Sequence, residues 1–226
     1  MRKLLFYSLM ITIMFIYITA DNIEYEYWDD FTDIKFPGDS LDMTLLGGDF
    51  SGPCMDVFVN DTIAYIGNGG YLTILNVSDT SNPILVSNTK IPGTIEDLDW
   101  LPGQIFASVG VNGVVLVDVS DVANPYVVSS YDPGGFSYGL DAVDTLVYVA
   151  VGSNGFVVMN FSNPSAPAQN STYYTVGYCR RVKIIDSLGY ISCSSNGLEI
   201  VNVENPDSIE QISVIDSVDF VFDAWI

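Results

Sequence analysis

Residues 110–125 read GVNGVVLVDVSDVANP, and the chain repeats that phrase at 152–167 as GSNGFVVMNFSNPSAP and at 194–209 as SSNGLEIVNVENPDSI. The anchors Asn112-Gly113, Asn154-Gly155 and Asn196-Gly197 stand 42 residues apart, and Gly70-Tyr71 takes that place in an earlier copy. Asn76, Asp118, Asn160 and Asn202 follow at the same step, then Pro83, Pro125 and Pro167, with Ile209 in the last copy. Upstream, Tyr65, Phe106, Tyr148 and Tyr190 continue the series. The first of these steps is one residue short, which puts a single deletion in the first copy's IGNGG segment. A period in this range marks a repeat architecture, in which one supersecondary unit recurs.

No helical period runs through a copy. The segments are short, rich in Val, Ile and aromatics, and bounded by Gly, Asn, Asp or Pro, which reads as strands. The third copy is plainest. It runs YGLDAV (138–143), a tight turn at Asp144-Thr145, LVYVAV (146–151), a turn at Asn154-Gly155, FVVMNF (156–161) and, after a Pro-bearing loop, APAQNSTYY (166–174). Asn-Gly predicts a type I′ hairpin turn, which needs positive φ at both central residues. Pro167 falls at the edge of the outermost strand, where its missing N–H interrupts no ladder. Four strands in 42 residues bury too little surface to offset the ~1–2 kcal/mol of backbone entropy lost per ordered residue, so each unit must stack on its neighbours. The expected fold is all-β, a β-propeller of 42-residue four-stranded blades. A flat solenoid comes second because its repeats are usually shorter.

The third-strand segments VVLVDVSDVANP, FVVMNFSNPSAP, LEIVNVENP and LTILNVSDTSNP resemble the LVIVD repeat of exported bacterial and archaeal propellers. They share an apolar run, an Asn or Asp, and a following Ser-Asp-x-x-Asn-Pro pattern at one spacing. Departures are Asn for Asp in three copies and the lack of a terminal Pro in the fourth. The resemblance covers residues 51–219 and implies blades at 51–93, 94–135, 136–177 and 178–219. It also implies an outer fourth strand at 42–50 and the opening strand of a fifth blade at 220–226. Rings of this kind close by pairing strands from the two termini, so the expectation is an incomplete ring from a longer propeller.

The N-terminal run MRKLLFYSLMITIMFIYITA carries Arg2 and Lys3, a mostly apolar stretch, and the small pair Thr19 and Ala20. That is the layout of a secretory signal peptide, 1–20, cleaved after Ala20. Ser8 and Thr12 interrupt an apolar run already shorter than a membrane span requires. Residues 21–41 read as an acidic, aromatic linker. The expected location is secreted, periplasmic or cell surface, with no membrane span after cleavage. With 28 acidic against 7 basic residues and a net charge of −21, the chain repels nucleic acid and anionic lipid. Of the acids, 22 are Asp, the turn former of the two, which points to many turns on a solubilised surface.

There is no His, which removes His-based triads, His metal sites and the residue best suited to proton transfer near neutral pH. Three Cys with no close pair signal neither a disulfide framework nor a zinc site and read as small buried hydrophobes. The inferred register sets Cys179 nearer Ser194 than Cys193. No phosphate-binding loop or nucleophile elbow is present.

In such a blade, the segment leading into the first strand and the turn between the second and third share one face of the ring, the expected binding side. Aligned there are Asp56, Asp97, Gly139, Arg181 and Asp223, and two residues further on are Phe58, Asp99, Asp141, Lys183 and Trp225. Alternate positions of an innermost strand point to the channel. Arg180, Arg181 and Lys183 gather on one inner strand opposite a largely acidic set, with Phe136, Tyr138 and Phe222 near the same rim. The candidate ligand-binding residues are therefore Asp56, Asp97, Asp99, Tyr138, Asp141, Arg180, Arg181, Lys183 and Asp223. No catalytic and no metal-ligating residue is expected. A competing reading has these groups pairing with one another and with loop backbone along a wet channel. The expected function is a non-catalytic, exported scaffold that binds protein or glycan at the cell envelope. Alternatives are a polysaccharide-acting enzyme using channel carboxylates, such as Asp97 with Asp99, and a structural repeat stabilised by calcium, the one cofactor considered.

Overall fold

The structure, a computed structural model, describes residues 53–216 apart from Ser195. The expectations for 1–20, 21–41, 42–50 and 220–226, and with them Phe222, Asp223 and Trp225, lie outside the described residues. Among the described residues all the regular elements are strands, arranged in four antiparallel sheets that follow the 42-residue copies. Blade 1 holds β1 (Cys54–Asn60), β2 (Ile63–Asn68), β3 (Tyr71–Asn76) and β4 (Ile84–Lys90). Blade 2 holds β5 (Asp97–Leu101), β6 (Gln104–Ser108), β7 (Val114–Asp118) and β8 (Tyr126–Tyr131). Blade 3 holds β9 (Leu140–Val143), β10 (Leu146–Ala150), β11 (Phe156–Asn160) and β12 (Ala168–Tyr173). Blade 4 holds β13 (Arg181–Ile185), β14 (Leu188–Ser192), β15 (Leu198–Asn202) and β16 (Glu210–Ile215). Within each blade every strand pairs with the next in sequence, and the first strands of successive blades lie side by side: β1 by β5, β5 by β9, β9 by β13.

The core lies between blades. Tyr65, Leu72 and Ile74 of blade 1 pack on Leu98, Ile105 and Val115 of blade 2. Phe106 and Leu116 of blade 2 meet Leu140, Val147 and Met159 of blade 3, and Tyr148, Phe156 and Val158 of blade 3 meet Val182, Ile191 and Val201 of blade 4. Each of these side chains is worth about 1.5–3 kcal/mol once buried. A sheet apolar on both faces gains that only by being sandwiched, which is why the unit repeats.

The turns follow residue chemistry. At the first-to-second turn, Asp61, Asp144 and Asp186 adopt φ of 54–55°, and blade 2 instead uses Gly103 at φ 78° after Pro102. The second-to-third turn departs from the type I′ expectation. Gly113, Gly155 and Gly197 are left-handed, at 81–83°, but Asn112 and Asn154 are not. The loop is longer than two residues, and a second left-handed residue sits earlier in it, at Gly110, Gly152 or Ser194. The Asn is selected for its amide instead. Asn112 Nδ2 donates to Pro92 O at 2.6 Å and Asn154 Nδ2 donates to Gly134 O, tying each turn to the segment that leads into its own blade. The Gly has no substitute, because a Cβ on Gly155 would lie 2.3 Å from Tyr173 O.

Each fourth strand carries a bulge at the same place, with register shifts at Ile74/Leu75, Leu116/Val117, Val158/Met159 and Ile200/Val201. The residue after each bulge is a serine: Ser87, Ser129, Ser171 and Ser213. Bulges re-aim side chains. Here Ser87 Oγ donates to Val122 O at 2.7 Å and Ser171 Oγ to Pro206 O at 2.6 Å, fastening the outer edge of one blade to the next.

The candidate site: inner rungs and an aromatic rim

The predicted site residues on β1, β5, β9 and β13 fall into two rungs. On the first are Asp56, Asp97, Gly139 and Arg181. Asp56 Oδ2 accepts from Leu98 N and Asp97 Oδ2 from Leu140 N, both at 2.8 Å. On the second are Phe58, Asp99, Asp141 and Lys183. Asp99 Oδ2 accepts from Ala142 N at 2.7 Å and Asp141 Oδ2 from Ile184 N at 2.6 Å. Each carboxylate thus reaches forward by one repeat to hold a backbone amide of the next inner strand. A hydrogen bond to a charged group is worth about 1.5–3 kcal/mol. Phe58 breaks the second rung and stacks on Trp100 instead, centroids 5.6 Å apart.

The cations complete the rungs. Lys183 Nζ lies 2.6 Å from Asp141 Oδ1. Arg181 reaches back two blades, its NH1 2.8 Å from Asp97 Oδ1. It passes over Gly139, where a Cβ would stand 2.7 Å from Arg181 Cδ and 2.8 Å from Arg180 O. Asp97 is nevertheless held well above the usual carboxylate range, because burial and the neighbouring Asp56 outweigh Arg181 and the Leu140 amide. Burial raises Asp99 and Glu96 as well. Among the described residues no group of three or more His, Cys, Asp or Glu is arranged to hold a metal ion.

Tyr138 and Arg180 lie apart from the rungs, on the rim where the blades join. Phe136 sits against Gly110 and Tyr178 against Gly152, the left-handed turn residues of the preceding blades, where a Cβ would come within 3 Å of either ring. The Tyr138 ring is 4.4 Å from Phe136 and 5.5 Å from Tyr178, and the two tyrosine hydroxyls are 2.6 Å apart. The Arg180 guanidinium covers both tyrosines, 5.2 and 5.3 Å from their ring centres. Burial and the bond to Tyr178 push the Tyr138 hydroxyl up to about 12. The structure therefore brings Asp56, Asp97 and Arg181 together on one rung, Asp99, Asp141 and Lys183 on the other, and Tyr138 with Arg180 on the rim.

The opposite rim has a different character. Asp61, Asp144 and Asp186 occupy its first-to-second turns, and Asp79, Asp118, Asp121, Glu204 and Asp207 its third-to-fourth loops. Several close Asx turns, as Asp118 does with Ser120 N and Asp121 with Ala123 N. Asn76, Asn160 and Asn202 do the same, so this repeated position is a turn former. Among the described residues no Lys or Arg stands on that rim.

One buried acid escaped sequence reasoning. Glu199, fully buried on β15, accepts from Val176 N at 2.8 Å and from Tyr173 Oη at 3.0 Å, with Cys193 Sγ at 3.4 Å. The signal was available, because the equivalent residues are Thr73, Val115 and Val157 and a Glu among them breaks the pattern. Cys54, Cys179 and Cys193 are free thiols, and burial pushes that of Cys193 up to about 12.

Four-stranded blades, inner strands side by side and cores between sheets define the class as a β-propeller array. A family profile described as LVIVD repeat matches residues 51–90, 105–133 and 142–175, so three segments of the chain are similar to that family's repeat. A solved structure described as a functionally unknown protein from Desulfotomaculum acetoxidans DSM 771 superposes with a TM-score of 0.63 at 12% identity, over 74% of this chain. The match spans only 57% of that protein's length, and it speaks to the fold alone. No curated protein sequence matches the chain.

Proposed function

We propose that the chain is an exported, non-catalytic repeat scaffold that binds a protein or glycan at the cell envelope through the rim bearing Tyr138 and Arg180. The observation that carries this reading is the engagement of the inner carboxylates. Asp56, Asp97, Asp99 and Asp141 each hold an amide of the following blade, so their geometry serves linkage between blades. General acid–base work by a carboxylate pair needs groups free to approach a substrate. The rim, by contrast, offers aromatic and cationic side chains at the turns that the scaffold holds in place.

Two measurements test the reading. N-terminal sequencing of protein recovered from the envelope or medium should begin at Asp21, and retention of Met1 would count against export. Assay on a polysaccharide panel should show no turnover, and turnover abolished by Asp99→Asn would replace the scaffold reading with an enzymatic one.

A further inference from the structure

We infer that two copies of this chain assemble head to tail, the apolar front of blade 1 in one copy seated on the back of blade 4 in the other. The inference goes beyond the scaffold reading and does not depend on what the rim binds. On β1, Asp56 and Phe58 point toward blade 2, where Asp56 holds Leu98 N and Phe58 stacks on Trp100, so alternation turns Met55, Val57 and Val59 the other way. Val57 is 44% and Val59 53% exposed. In the later blades the place of Val57 is taken by Leu98, Leu140 and Val182, which are 5–6% exposed because each packs on the blade before it.

The residues that bury those fronts stand at the same three positions of each blade. Tyr65, Leu72 and Ile74 of blade 1 share a core with Leu98, and Tyr148, Phe156 and Val158 of blade 3 share one with Val182. None of the six is more than 4% exposed. In blade 4 these positions are Tyr190, Leu198 and Ile200, still aromatic and aliphatic on one face of β14 and β15, yet only half-buried.

The repeat itself selects the occupant. Every internal joint sets the back of one blade on the front of the next, so the surface shaped to receive Tyr190, Leu198 and Ile200 is a blade front. Among the described residues the front left open is that of blade 1. A contact between two different surfaces of identical chains either closes into a ring or runs on as a filament. Two copies of four blades give eight, within the range at which propellers close. The joint between copies differs from the internal ones in its polar part. Where Asp56, Asp97, Asp99 and Asp141 hold an amide of the following blade, blade 4 presents Arg181 and Lys183, which accept no hydrogen bond. The contact is therefore apolar, and without carboxylate links it opens before a subunit unfolds. A net charge of −21 on each copy opposes it, so salt strengthens it by screening.

Analytical ultracentrifugation of the full chain tests the assembly. The parent should pass from one copy to two as its concentration rises, and at lower concentration in high salt than in low. Val57→Asp and Ile200→Asp, which place a charge on the front and on the back, should each weaken pairing about tenfold or more. Mixed together, the two variants should pair one to one, because the front of the Ile200→Asp chain and the back of the Val57→Asp chain are intact. They meet through one joint instead of two, and so more weakly than the parent. Val57 is exposed, so its variant should melt as the parent does; if Ile200→Asp fails to fold, Leu198→Ser takes its place in the mixture. A parent that stays single at every concentration would overturn the inference. So would pairing indifferent to Val57→Asp, or a mixture no more associated than either variant alone. Pairing lost in Val57→Asp but kept in Ile200→Asp would mean that two fronts meet face to face, and would overturn it too.

Discussion

Gly139 shows how much one missing side chain permits. Its place on the first rung is taken in other blades by Asp56, Asp97 and Arg181, and the gap above it is what lets Arg181 reach Asp97. Gly139→Ala is expected to cost about 1–3 kcal/mol, in the range of overpacking, measured as the shift in urea unfolding free energy. The carboxyls give a second prediction. Asp97, Asp99 and Glu96 are raised in the folded state, so the folded chain holds their protons more tightly than the unfolded chain does. The stability they contribute is complete below the ordinary carboxylate pKa of about 4 and is lost as pH rises through the raised folded values. The melting temperature, followed at high salt to screen the net charge, should therefore rise as pH falls from neutral toward that range. Asp97→Asn with Asp99→Asn should flatten the slope, and a slope of opposite sign would contradict the raised values. The identity of these residues could be read from the repeat alignment, but their partners could not. The donors are backbone amides one repeat away, which no residue type announces.

At the level of strands and turns, alternation and the Asn-Gly anchors located all four strands of the third blade to within two residues. What the anchors did not reveal is why Asn is there. The dipeptide rule concerns φ, yet Asn154 works through an amide bonded across a twenty-residue gap. Likewise a serine repeating every 42 residues looks like an ordinary outer-strand polar position until the bulge turns it toward the neighbouring blade. Ser171→Ala should cost about 1 kcal/mol, the net worth of one hydrogen bond. Ser129 tests the idea from the other side, because its buried hydroxyl has no hydrogen-bond partner. Ser129→Ala should be neutral or slightly stabilising, and equal losses at both positions by chemical denaturation would show that the fastening contributes nothing.

At the scale of the molecule, stability is a sum over neighbouring blades, since among the described residues three cores lie between four sheets. In-frame removal of residues 94–135 would set Asp56 against Leu140 N in the relation it now has to Leu98 N. The shortened chain should still unfold cooperatively, with a urea m-value lowered by roughly the share of surface one blade buries. Loss of all cooperative unfolding would mean that blades depend on more than their neighbours. The linking hydrogen bonds also have a direction: in every one the acid comes earlier in the chain and the amide about one repeat later. On the ribosome, where the N-terminal part is made and folds first, each finished blade would hold out its acceptors before the strand that fills them has emerged. The growing protein thus carries at its leading edge a template for the register of whatever is synthesised next.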